Sequence, residues 1–174
     1  MSPQMGLPLL ICDADKLTTE RTGGTKALAV DYLAKPDVAK LAIIGAGPVA
    51  LAHWKHVGGL RQWSSVRLWS PSLSQNLQRR ALWADNCPIA LVAEDAQSAC
   101  RDADVIMLCT SSGKPVIDAA DVAPGVLVTS ISTNVALAHE VKPSFLLQAQ
   151  VYCDYQSTTP NSAGEVILAK EQWG

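Results

Sequence analysis

Short, mostly apolar runs alternate with helix-patterned stretches along the chain. Residues 41–44 (LAII), 66–69 (VRLW), 88–93 (PIALVA), 105–109 (VIMLC) and 126–130 (VLVTS) are β-prone, and residues 7–13 (LPLLICD) and 151–154 (VYCD) form two further candidate strands. Most of these runs lack the polar alternation of a strand with one wet face, which predicts strands covered on both sides. Between them, residues 25–34 (TKALAVDYLA) suit a helix with Ala27, Leu28, Val30, Leu33 and Ala34 apolar, capped by Thr18 or Thr19. That helix must stop before Pro36, because the residue ahead of a proline avoids the helical region. Ala50, Trp54 and Val57 have helical spacing, and Gly58-Gly59 closes their helix. Residues 73–85 and 164–170 are also helical in pattern, and Asp95 is placed to cap a short helix reaching about residue 102. Strands alternating with helices at such intervals predict an α/β domain, a Rossmann-type doubly wound parallel sheet.

Composition narrows the function classes. The 174 residues carry a formal net charge of −2 and no basic stripe, which argues against nucleic acid as a partner. No apolar run reaches the roughly 20 residues needed to span a bilayer. The first ten residues lack a basic segment followed by an apolar core, so secretion is not expected. The five cysteines are odd in number and form no CxxC pair, so neither a disulfide framework nor a metal site is expected. The composition is that of a reduced, cytoplasmic protein.

The strongest local signal is LAIIGAGPVA at residues 41–50, a GxGxxG/A pattern between a strand and a helix. Gly45 permits the tight turn, Gly47 lets a pyrophosphate approach the backbone, and Ala50 is small enough for close helix–strand packing. The following helix offers free N–H groups and a partial positive charge to phosphates, and Pro48 suits its first turn. Ala46 and Val49 complete the candidate cofactor-binding turn. The alternative is a glycine turn with only a structural role.

The end of the next strand bears on cofactor choice. NAD-specific domains place Asp or Glu there to hold the ribose 2′-hydroxyl. This chain has Trp69-Ser70-Pro71-Ser72 instead. Without a carboxylate to repel a 2′-phosphate, and with Ser70 and Ser72 able to donate to one, NADP(H) is expected over NAD(H). Arg79 and Arg80 are the nearest arginines, and the serines alternatively form only a turn.

Four stretches together resemble the ornithine cyclodeaminase/mu-crystallin family. They are LTTERTGG at 17–24, the IGAG turn at 44–47, ADVI with CTSS and PV between 103 and 116, and PG, SISTN and HEV between 124 and 141. The likeness runs from about residue 7 to 170. It implies that Arg21 lies near the cofactor phosphates and, with Thr22, at the substrate carboxylate, for which a planar guanidinium is suited. It places Thr110, Ser111 and Ser112 beside the cofactor, and Ser130, Ile131 and Ser132 next to the nicotinamide.

Asn134 matches a position where ornithine cyclodeaminases carry a catalytic aspartate, and Ala138 replaces a lysine of those enzymes. An amide cannot act as general base, so ornithine deamination is disfavoured. The stretch looks more like the cyclic-imine reductases of the family. The implied activity is NAD(P)H-dependent reduction of Δ1-pyrroline-2-carboxylate or Δ1-piperideine-2-carboxylate, with Asn134 bonding the ring nitrogen or a water. Two alternatives stay open: a non-catalytic, crystallin-like nucleotide-binding module, and a cyclodeaminase converting ornithine to proline and ammonia. The resemblance further implies a homodimer. It also implies three parts: residues 1–35 as a remnant of an oligomerisation and substrate domain, 36–160 as the nucleotide-binding domain, and 161–174 as the start of a return segment. On that reading the substrate pocket is incomplete and the chain by itself is expected to be inactive. Glu140 is expected to serve structurally in a first helical turn. His53, His56 and His139 receive no chemistry, and Asp104 is expected at a strand entrance.

Overall fold

The computed structural model describes residues 7, 8, 10, 11, 13–131 and 135–170. Helix α1 (Asp15–Leu33) leads into β1 (Lys40–Ile44), α2 (Pro48–Val57), β2 (Ser65–Trp69), α3 (Leu77–Asn86) and β3 (Ala90–Val92). Then follow α4 (Ala96–Cys100), β4 (Val105–Leu108), β5 (Leu127–Thr129), α5 (Pro143–Leu146), α6 (Thr159–Ser162) and α7 (Gly164–Lys170). The five strands form one parallel sheet in the order β3-β2-β1-β4-β5. This is the doubly wound arrangement, and β1 and β4 flank the point where strand order reverses.

The apolar strands are explained by cover on both faces. Leu41, Ile43, Val105 and Met107 join Ala27, Val30, Ala50, Val57 and Trp83 in one core, under α1, α2 and α3. Their neighbours Ala42, Ile44, Ile106 and Leu108 join Ala99, Cys100, Leu146 and Ala169 in the other, under α4, α5 and α7. At the sheet's lower edge the Asp104 carboxylate accepts from the N–H groups of Ala39 (2.9 Å) and Lys40 (2.8 Å), tying the entrance of β4 to that of β1.

Several local expectations are corrected. Leu7, Pro8, Leu10, Ile11 and Asp13 belong to no strand, while residues 9 and 12 lie outside the described set. Residues 151–154 form no strand either. Apolar composition suits a pleated surface, but a strand also needs a neighbour for its N–H and C=O groups. Leu10, Ile11 and Tyr152 are instead exposed. Helix α1 starts before Thr18, with Ala14 as its N-cap and no side-chain cap. The Thr18 N–H is already bonded to the Ala14 carbonyl at 2.8 Å, so neither threonine caps it. Helix α3 begins at Leu77, later than the pattern suggested, because Asn76 accepts from the Arg79 N–H at 2.9 Å and residues 70–75 are used in turns. Asp95 caps α4 as expected, accepting from the Ser98 N–H at 2.6 Å.

Candidate active site

The loops that leave the carboxyl ends of β1, β2, β4 and β5 gather at one edge of the sheet, where open α/β folds bind ligands. Gly45 follows β1 directly with φ of +110°, a conformation that L side chains rarely adopt. A Cβ there would lie 2.8 Å from the carbonyl carbon of Cys109, so β4 approaches as closely as glycine allows. The Gly45 N–H donates to the Trp69 carbonyl at 2.7 Å, and the Cys109 N–H to that of Ile44 at 2.7 Å. The turn is thereby fastened to β2 on one side and β4 on the other.

Gly47 is different in kind. A Cβ on it would meet no atom within 4 Å, so internal packing does not require glycine there. Gly47 is the N-cap of α2, with Pro48 at its start and no side chain capping the orphan N–H groups of the first turn. Ala50 is fully buried beneath. An open backbone concavity at an uncapped helix N-terminus can receive an anion. Dinucleotide pyrophosphate fits this set of donors.

Ser70, half-buried, and Ser72, exposed, lie in the turn after β2, closed by the Leu73 N–H on the Ser70 carbonyl at 3.0 Å. Arg79 is half-buried in the first turn of α3, and Arg80 is exposed.

Across the strand-order switch, a fully buried carboxylate organises two further loops. Oε1 of Glu140 accepts from both the N–H and the hydroxyl of Thr110, each at 2.8 Å. Its Oε2 accepts from the Ser130 hydroxyl at 2.8 Å and the Ile131 N–H at 3.0 Å. Glu165, at the start of α7, accepts the Glu140 N–H at 3.1 Å, and its Oε1 lies 3.1 Å from the Ser130 hydroxyl. Gly164 is demanded here, since a Cβ would fall 2.8 Å from the Leu137 carbonyl carbon. The Thr110 hydroxyl then accepts from the Ser112 N–H at 3.1 Å, which shapes the loop through Ser111.

The expectation that Glu140 caps a helix is corrected. It lies in a bend outside any helix, where the Val116 N–H donates to its carbonyl at 2.9 Å and Ile117 bridges the next residue, Val141. That bridge turns the side chain inward. Its role as a loop clamp escaped the sequence reading, and so did Glu165. The only signal was two acidic residues among small and apolar ones.

Of the residues singled out in the sequence, Gly45, Ala46, Gly47, Pro48, Val49, Thr110, Ser130 and Ile131 converge on this edge. Arg21 is exposed on α1, and the Thr22 hydroxyl donates to the Thr18 carbonyl at 2.7 Å. Their helix packs on α2 through Gly23, where a Cβ would stand 3.1 Å from the Ala52 backbone. Ser132 and Asn134, with Thr133, lie outside the described residues.

The electrostatics of the edge are uneven. Cys109 is held well above the usual thiol range by burial and by the Glu140 charge, opposed by Lys26. His53 is buried on α2 with its ring Nδ1 2.7 Å from the Val49 carbonyl. Burial lowers its pKa, against that hydrogen bond and with help from Lys26. His56 pairs with Glu20 at 2.9 Å on the surface. No cluster of metal-ligating side chains occurs among the described residues. No described helix is long and apolar enough to cross a membrane.

Comparison with known proteins agrees with this picture. Residues 1–172 match the model of the ornithine cyclodeaminase/mu-crystallin family. The chain is 51% identical over its full length to the NAD(P)H-dependent anabolic L-arginine dehydrogenase DauB of Pseudomonas aeruginosa, covering 55% of that protein. It is 30% identical over 164 residues to a Δ1-pyrroline-2-carboxylate reductase of Paracoccus denitrificans, covering 91% of this chain and 50% of the relative. The structure of the Thermococcus litoralis Δ1-pyrroline-2-carboxylate reductase in complex with NADH and L-proline superposes with a TM-score of 0.87 at 22% identity. That match covers 98% of this chain and 53% of the other. The chain thus spans about half the length of the curated relatives it matches.

Proposed function

Since the chain belongs to the ornithine cyclodeaminase/mu-crystallin family, we propose that it forms the nucleotide-holding part of an NAD(P)H-dependent oxidoreductase acting on a C=N bond beside a carboxylate. The observation that carries this reading is the open, uncapped first turn of α2 behind Gly45 and Gly47.

In this reading the N–H groups of Gly47, Val49 and Ala50 hold the pyrophosphate. Ser70 and Ser72 hold a 2′-phosphate, which favours NADP(H), with NAD(H) as the alternative. Thr110, Ser111 and Ser112 would lie beside the cofactor, and Ser130, Ile131 and Ser132 would serve next to its nicotinamide. The nicotinamide, when bound, supplies or accepts a hydride at the substrate carbon. Arg21 and Thr22 engage the substrate carboxylate, and Asn134 hydrogen-bonds the nitrogen without serving as a base.

Two substrates share this chemistry. The 51% identity to an L-arginine dehydrogenase favours the imino acid of arginine. The reductase relative and Asn134 favour a cyclic imine, Δ1-pyrroline-2-carboxylate or Δ1-piperideine-2-carboxylate. Initial rates with L-arginine and NADP⁺, and with Δ1-pyrroline-2-carboxylate and NADPH, separate them. Cofactor binding without turnover of either points to a binding module. Calorimetry showing neither NADPH nor NADH bound to the folded chain would overturn the proposal.

Self-association as a homodimer belongs to the same reading. Helix α1 leaves Leu17, Leu28 and Tyr32 exposed, and apolar surface of this kind favours burial against another surface. A strictly monomeric light-scattering mass at high concentration would count against it.

A further inference from the structure

We propose that Trp83 is a positioning residue for the phosphate-binding turn, its indole N–H holding the 46–47 peptide so that the Gly47 N–H faces the ligand. This rests on the nucleotide-binding reading above and assigns a role to a side chain outside the glycine motif.

Trp83 lies late in α3 and is only 2% exposed. Its Nε1–H donates to the Ala46 carbonyl at 3.1 Å, in a buried bond that spans 37 positions of sequence. The peptide is trans, so its C=O and N–H point to opposite sides. With the carbonyl directed inward to Trp83, the Gly47 N–H is directed outward. It donates to no protein group among the described residues. The Gly47 Cα is open as well, since a Cβ on it would meet nothing within 4 Å.

The rest of the turn is held by the backbone, through Gly45 N–H on the Trp69 carbonyl and Cys109 against Gly45. The 46–47 peptide has a side-chain anchor instead. It needs one, because glycine at 47 admits positive φ and so leaves a flipped peptide sterically accessible. A flip would turn a carbonyl oxygen toward the phosphates in place of an N–H. The Trp83 bond opposes it, because the flipped form leaves the buried indole N–H without its acceptor.

The test compares Trp83→Phe with Trp63→Phe. Trp63 also donates its indole N–H to a backbone carbonyl, that of Val57 at 3.1 Å, away from the turn. Binding of ADP-ribose and NADH is measured by calorimetry well below both melting midpoints. Trp83→Phe is expected to weaken both ligands by on the order of tenfold, and Trp63→Phe to leave them unchanged. Wild-type affinity in Trp83→Phe, or equal weakening in Trp63→Phe, overturns the proposal.

A second readout needs no ligand. In ¹⁵N-glycine-labelled protein, Trp83→Phe is expected to move the Gly47 amide resonance while leaving Gly113 in place. An unmoved Gly47 resonance overturns the proposal. Failure of wild type to bind either ligand would sink the nucleotide reading and leave the anchoring of the peptide to this measurement. If Phe leaves the chain unfolded, Trp83→benzothienylalanine keeps the bicyclic ring and removes only the N–H donor, with the same expected outcomes.

Discussion

A single oxygen of Glu140 accepts both the main-chain N–H and the hydroxyl of Thr110, 30 residues earlier, each at 2.8 Å. The other oxygen does the same for Ser130 and Ile131, so one buried carboxylate joins the loops after β4 and β5. Glu140→Gln places an amide NH₂ against groups that are themselves donors. The expected loss is ~2–3 kcal/mol of unfolding free energy, because buried donors lose their acceptor. Urea denaturation measures it, and a change within error would show that the clamp contributes nothing to stability.

The two glycines of the turn should fail in different ways. Gly45→Ala forces a side chain onto φ of +110° and against Cys109. It should lower stability by ~2 kcal/mol or more. Gly47→Ala has φ of −77° and open space around the new methyl. It should melt like wild type yet bind NADPH at least about tenfold more weakly, because the methyl occupies the place of the phosphates. Paired melting and calorimetry decide it. Unimpaired binding in Gly47→Ala would show that ligand does not approach there.

Cofactor choice is tested at the end of β2. Ser70→Asp puts a carboxylate where a 2′-phosphate is proposed to sit, and like charges repel. The expected result is NADPH binding weakened by about tenfold or more with NADH held or improved. Equal effects on both nucleotides would remove Ser70 from the site.

The buried histidine makes a pH prediction. Folding lowers the pKa of His53 from its ordinary 6.5, mainly through burial. The unfolded chain therefore takes up this proton at higher pH than the folded one. Its contribution is fully present above pH 6.5 and is lost as pH falls below it, through the lowered folded value. Asp95 and Asp118 are also lowered, but from 3.8, so they act in a more acidic window. Stability should fall between pH 7.5 and 5.5 in wild type more than in His53→Gln. Equal slopes in the two proteins would exclude His53 as the source.

Much of the fold could be read directly. Runs of β-prone residues identified the strands that became β1 to β5, and β1 and β4 are apolar at nearly every position because both of their faces are covered. Gly45-Ala46-Gly47 followed by Pro48 identified the turn, because few residues tolerate that backbone path. The same reasoning failed at residues 7–13 and 151–154, where apolar composition said nothing about whether a partner edge was within reach.

The linear chain thus determined the parallel α/β architecture and the helix-start turn that can take phosphate, since both follow from local backbone preference and burial period. Packing across long separations decided the rest. Glu140 is a clamp and not a cap because a bridge from Ile117 to Val141 turns it inward. Trp83 reaches Ala46 because α3 lies over the turn. Such pairings depend on how layers stack, and no local pattern of residues encodes which distant carbonyl a buried donor will meet.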